Sequence, residues 1–210
     1  MATIVTAIDA VTAWVEKNVC SRVKLKKPPA NENEANDAGY DYELVEPSAH
    51  AMYVPTQDKA AIADKLPIPS VCVRVTDGSC DYAGGECTID FELIFATWDG
   101  GTHGRDMFDP VGNNIFVQRS GAAAKTFDRN GGGWRDAWNL IDTALRELGR
   151  TTLIADLTVD KTVPVKFSPL KEQNSIPDFY PYWFSVLTFT VKQSIRTQNA
   201  YFDDEILKHL

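Results

Sequence analysis

"SVCVRVTDGSCDYAGGECTIDFELIFATW" (residues 70–98) decides the fold. Val71, Val73 and Val75 alternate with Cys72, Arg74 and Thr76, the two-residue period of a strand with one apolar face. Asp77-Gly78 and Gly84-Gly85 bracket a turn, and Cys87, Ile89, Phe91, Leu93 and Phe95 then resume the alternation. Two alternating runs around a glycine-rich connection predict an antiparallel hairpin.

Upstream, Ile4, Ile8, Val11, Val15 and Val19 recur at helical spacing over residues 3–19, with Trp14 alongside. That pattern predicts an amphipathic helix with one face on a core. Pro28-Pro29 and the polar stretch through Gly39 break it, and a short helix is expected over Gln57–Lys65. Downstream lies a glycine-rich excursion, residues 97–133, and then "WRDAWNLIDTALREL" (134–148), where Trp134, Trp138, Ile141, Leu145 and Leu148 form one stripe. Gly149 is expected to cap this helix. Strands are expected over 153–158 and 162–167. The strongest covers Tyr182 to Ser194, apolar on both faces and so central or covered twice, and the tail at 203–210 reads as one helical turn. The order predicts a single α+β domain over residues 1–210: a mostly antiparallel sheet flanked by an N-terminal and a central helix, with segments 31–46 and 97–133 as loop insertions.

Composition narrows the function. The chain has 210 residues and a formal charge of −8, which disfavours general affinity for nucleic-acid phosphates. Its one dense basic run, Arg22 to Lys27, reads as solvated charge. The start "MATIVTAIDAVTAWVEKN" lacks the basic opening and unbroken apolar run of a signal peptide, and no stretch is long enough to span a bilayer, so a soluble cytoplasmic product is expected. Cys20, Cys72, Cys80 and Cys87 show no zinc-knuckle spacing and are expected as reduced thiols.

Each candidate chemistry has a plainer explanation. The glycines at 131–133 precede a helix, as in phosphate-binding loops, but no buried strand leads in and no Gly-Lys-Ser/Thr is present; a hinge explains them. Asp99, His103, Asp106 and Asp109 sit within eleven residues and have ligand chemistry for a metal, yet glycine-rich loops collect aspartate for turns. No Gly-x-Ser-x-Gly elbow occurs. The cluster Phe179-Tyr180-Pro181-Tyr182-Trp183-Phe184 lacks interleaved basic residues, which favours core packing or a protein interface over base stacking.

"IPSVCVRVTDG" (68–78), "TIDFELIFATWD" (88–99), "GGWRDAWNLIDTALRELGR" (132–150) and "PDFYPYWFSVLTFTV" (177–191) together resemble the tail-terminator, or tail-completion, proteins of long-tailed bacteriophages and phage tail-like particles. The resemblance covers roughly residues 68–194. It implies a structural virion protein, not an enzyme, with no cofactor and no metal. Such a protein forms a homohexameric ring that caps the tail tube, ends its polymerisation and gives the neck or head–tail connector a docking face. The implied partners are copies of itself, the tube protein and the connector, with a sheath protein as a further candidate. DNA only passes through the lumen, where the negative charge repels it, and no membrane is involved. The implied location is the head-proximal end of the tail, after assembly in the host bacterial cytoplasm. For intersubunit or tube contact we expect Trp98, Arg105, Phe108, Phe116 and Arg119 in the excursion, with Arg135 and Asp136 at the helix start. The competing expectations are a metal-dependent hydrolase using Asp99, His103 and Asp106, or a head-completion or neck adaptor.

Overall fold

The computed structural model describes residues 3–28, 43–54, 65–99, 133–172, 175–177, 179 and 181–194. It is an α+β fold, a mostly antiparallel sheet with both helices against one face. The strands are β1 (Leu25–Lys26), β2 (Leu44–Val45), β3 (Ser48–Ala51), β4 (Ser70–Asp81), β5 (Glu86–Trp98), β6 (Leu153–Ile154), β7 (Leu157–Val159), β8 (Lys166–Pro169) and β9 (Tyr182–Ser194). Helix α1 spans Ile4–Asn18 and α2 spans Gly133–Arg150. The main sheet runs β3-β4-β5-β9-β7-β6, and β8 shares the outer edge of β9 with β7; β3 alone is parallel to its neighbour.

Three long strands make the centre because their alternation is in phase. Val71 faces Phe95, Val73 faces Leu93, Leu93 faces Leu187 and Phe91 faces Phe189, so one face is apolar from strand to strand. The Phe91 and Phe189 rings stack with centroids 5.7 Å apart. Helix α1 starts at a capping box: the Thr6 N–H donates to Thr3 Oγ1 (3.2 Å) and the Thr3 N–H to Thr6 Oγ1 (2.6 Å). Its buried stripe is Ala7, Val11 and Val15, continued by Val19, while Ile4 is exposed. Helix α2 buries Ala137, Leu140, Ile141, Ala144 and Leu148 over β5 and β9. The two alanines allow a close approach, and the Ser185 hydroxyl donates to the Ala137 carbonyl at 3.2 Å.

Several expectations are corrected. The buried stripe of α2 is rotated away from the large residues toward Ala137, Leu140 and Ala144, so Trp134 is exposed and Trp138 and Leu145 only flank the core. Gly149 lies inside the last turn and its carbonyl accepts from Lys161 Nζ at 2.8 Å. Asp77-Gly78 belongs to β4, not to the turn: a bulge between Val75 and Asp77 shifts the register, and Gly78 pairs with Ile89. A β-carbon at Gly78 would stand 3.2 Å from the Thr88 carbonyl oxygen. The turn is 82–85, with Gly85 at φ 72°.

Cys80 faces Cys87 and the two are disulfide-bonded, so only Cys20 and Cys72 remain as buried thiols. Thr97 and Trp98 complete β5, so the excursion begins later than expected. The expected strand 153–158 is two short strands folded back at Ala155-Asp156, and the next strand is Lys166–Pro169. The end of the presumed 31–46 insertion pairs with the basic run, Leu25 opposite Val45, and Lys27 binds Glu43 at 2.9 Å. Of the short helix expected over Gln57–Lys65 only Lys65 falls within the described residues, and the bulk of the excursion and the tail lie outside them.

Candidate interaction surface

Four segments converge where β9 begins. The first turns of α2 bring Trp134, Ala137 and Trp138; the end of β8 brings Pro169 and Leu170; Ile176, Pro177 and Phe179 precede β9; and β9 opens with Tyr182, Trp183 and Phe184. Together they line a depression of about 310 Å³. Phe179 meets Phe184 edge to face at 5.5 Å, and Trp138 meets Phe167 likewise at 6.1 Å. The rings are held by one another, yet Trp134 (45%), Ile176 (66%) and Phe179 (44%) remain open to solvent, an apolar exposure that a water-facing surface does not need. At the rim Arg135 lies over the Trp134 ring, 5.4 Å from its centroid.

A charged cluster gathers where β5 ends, at the root of the excursion. Lys26 Nζ lies 2.7 Å from Asp99 Oδ1, with Asp99 only 3% exposed. The Asp99 N–H donates to the Pro181 carbonyl at 3.0 Å, tying the end of β5 to the approach of β9. Burial pushes the Asp136 carboxyl up from its ordinary value; Asp99 adds to this and Lys26 opposes it. A carboxyl with a raised folded value binds its proton more tightly folded than unfolded. Stability therefore falls as pH rises from 3.8 through that raised value, and the loss persists above it. Asp136→Asn is expected to raise the melting temperature at neutral pH by on the order of 1–2 °C, since half-exposure screens the effect, and to leave it unchanged near pH 3. Thermal melts of both proteins across pH check this; a gain that is equal at both ends of the range would contradict it.

The expected contact residues are placed unevenly. Trp98 is buried, with Tyr182 as its register partner, so it is not itself presented. Arg135 is exposed at the rim and Asp136 is half-buried beside Asp99 and Lys26. Arg105, Phe108, Phe116 and Arg119 lie outside the described residues, as do His103, Asp106 and Asp109 of the metal reading. The larger depression, about 880 Å³ between α1 and the approach to β4, is walled by Glu16, Lys65 and Cys20. Glu16 binds Lys65 at 3.4 Å and accepts the Ala49 N–H at 2.8 Å, and burial pushes the Cys20 thiol up to about 12, which leaves it a poor nucleophile. His50 is the register partner of Cys72, a juxtaposition the sequence did not suggest; its Nε2 is held by the Leu66 carbonyl at 2.7 Å, and burial raises the Cys72 thiol too.

Sequence reasoning missed Ile176, Leu170 and Lys26. The aromatic run at 179–184 signalled the cup; the remaining wall comes from residues without a shared motif. No protein-family model matches the chain, and no curated protein matches it significantly.

Proposed function

We propose that this chain is a structural virion protein, a tail terminator that forms a hexameric ring on the end of the tail tube. The observation that carries the reading is the exposed apolar cup around Trp134, Ile176 and Phe179, a surface suited to protein contact. The tail role itself is supported by the sequence resemblance over residues 68–194. In this reading the ring covers the last tube layer, and growth stops because its far face does not repeat the tube surface. The neck docks on that far face, and DNA passes through a ring of subunits that each carry a formal charge of −8, which disfavours its retention. A ring needs two different faces on each subunit, one meeting the other on the next copy. The hydrolase reading is weakened at Asp99, whose Oδ1 is engaged by Lys26.

Particles assembled without the chain test the proposal by electron microscopy of tube lengths. Tubes of unregulated length are expected, restored to uniform length by the purified protein. Uniform tubes in its absence would overturn the reading.

A further inference from the structure

The two sulfurs of the Cys80–Cys87 bond stand in different surroundings. Cys80 is exposed on β4, and among the described residues no strand pairs with the outer edge of β4 beyond Val73. Cys87 lies on β5 between β4 and β9, with Gln193 as its register partner on β9, and is only 8% exposed. Neither cysteine belongs to the core cluster, whose member on β5 nearest the turn is Ile89. The tip is also held without the bond. Ser79 Oγ and Thr88 Oγ1 lie 2.8 Å apart, the Gly85 N–H donates to the Asp81 carbonyl at 2.8 Å, and β5 stays paired with β9 as far as Glu86 opposite Ser194. Opening the bond therefore releases one local closure, over a sequence separation of 7, and leaves the ladder beneath it in place.

A disulfide opens when a thiolate attacks one sulfur and displaces the other, and access decides which sulfur is attacked. We propose that Cys80–Cys87 is a thiol–disulfide exchange site, entered at Cys80, the exposed partner, and resolved by Cys87, the buried one, that locks or frees the turn carrying Tyr82. The co-reactant is a small monothiol with its disulfide, of the glutathione class. In opening, a thiolate bonds to Cys80 Sγ and the Cys80–Cys87 bond breaks. Its electron pair stays on Cys87 Sγ, which takes a proton. A second thiolate attacks the small-molecule sulfur of the mixed disulfide, the oxidised small disulfide leaves, and Cys80 Sγ takes the second proton. Two small thiols are oxidised and give up those two protons, while one protein disulfide is reduced to two thiols; closing is the reverse. Cys20 and Cys72 take no part, because burial raises both thiols above their ordinary values. The state of the small-thiol pool then sets whether the tip, with Tyr82 82% exposed, is locked or free. Exchange needs only one folded copy, so its failure would leave the ring reading standing.

Intact-mass measurement and peptide mapping of the full chain, with reduced and oxidised glutathione and no denaturant, test the site. Reduced wild type is expected to close in oxidised glutathione and keep no adduct. Cys87→Ser lacks the resolving sulfur and should hold one glutathione on Cys80, whereas Cys80→Ser should take it up at Cys87 on the order of 10-fold more slowly. A short iodoacetamide pulse on reduced wild type checks the same order without any substitution: Cys80 should be labelled ahead of Cys87 by a similar factor. Reduction should lower the melting temperature by on the order of 5 °C within one cooperative transition, with amide hydrogen exchange rising most at residues 79–85. Equal labelling of the two sulfurs, or Cys87 ahead, would overturn the assignment of Cys80 as the entry. Reduced wild type that stays open or keeps its glutathione would overturn Cys87 as the resolving sulfur. Reduction that succeeds only in denaturant, or that unfolds the domain, would mark a fixed structural bond and overturn the proposal.

Discussion

Phe91→Ala is expected to destabilise the protein by about 3–5 kcal/mol, the cost of emptying a fully buried phenylalanine site. Phe91 has no exposed surface; it lies on β5, between β4 and β9, opposite Phe189 on one side and Val75 on the other. Losing it removes the 5.7 Å ring stack and leaves a cavity that two hydrogen-bonded neighbours prevent from collapsing. Against a typical total of ~5–15 kcal/mol, that is a large fraction of the stability. Phe167→Ala is the control: Phe167 is 53% exposed, and its edge contact with Trp138 predicts a loss nearer ~1 kcal/mol. Urea unfolding of the two variants should show midpoints far apart with similar slopes. Equal midpoints would mean that the β5–β9 face is not the centre of the core.

Lys26→Met is expected to cost about 3 kcal/mol, although Lys26 is a lysine on a two-residue strand. Its partner Asp99 is 3% exposed and 2.7 Å away, so removing the ammonium leaves a buried carboxylate without its counter-charge. Asp99 also has further interactions, which place the loss at the low end of the ~3–5 kcal/mol seen for broken buried pairs. Removing both charges in Lys26→Met/Asp99→Asn should recover most of the loss, since desolvation of the carboxylate disappears with it. A double-mutant cycle in urea measures this; a double variant as unstable as the single one would show that Lys26 acts by packing and not by charge.

These two cases separate what could be read from the chain from what could not. Phe91, Leu93 and Phe95 announce their strand because a sheet face repeats every two residues, and β9 was bounded at Tyr182 and Ser194 for the same reason. Lys26 and Asp99 are 73 residues apart, and two-residue strands such as β1 and β2 carry no period. The stripe of α2 was misplaced because side-chain size suggested Trp134, whereas close packing on β5 and β9 selects Ala137 and Ala144. The Cys80–Cys87 bond depends on register: only with the bulge at Val75/Asp77 does Cys80 fall opposite Cys87. The reversal at Ala155 has a left-handed residue, φ 53°, without a glycine or asparagine to signal it. Half of the cup was legible in the aromatic run before β9, while Ile176 and Leu170 join it only through the chain path.

The central claim is that copies of this chain surround the end of a tube. Cryo-electron microscopy of assembled particles, with density fitted by the β4–β5–β9 ribbon and its two helices, tests it most directly. The account predicts six copies in one closed layer at the head-proximal end of the tube. A single copy there, or none, with the chain located elsewhere in the particle, would contradict it.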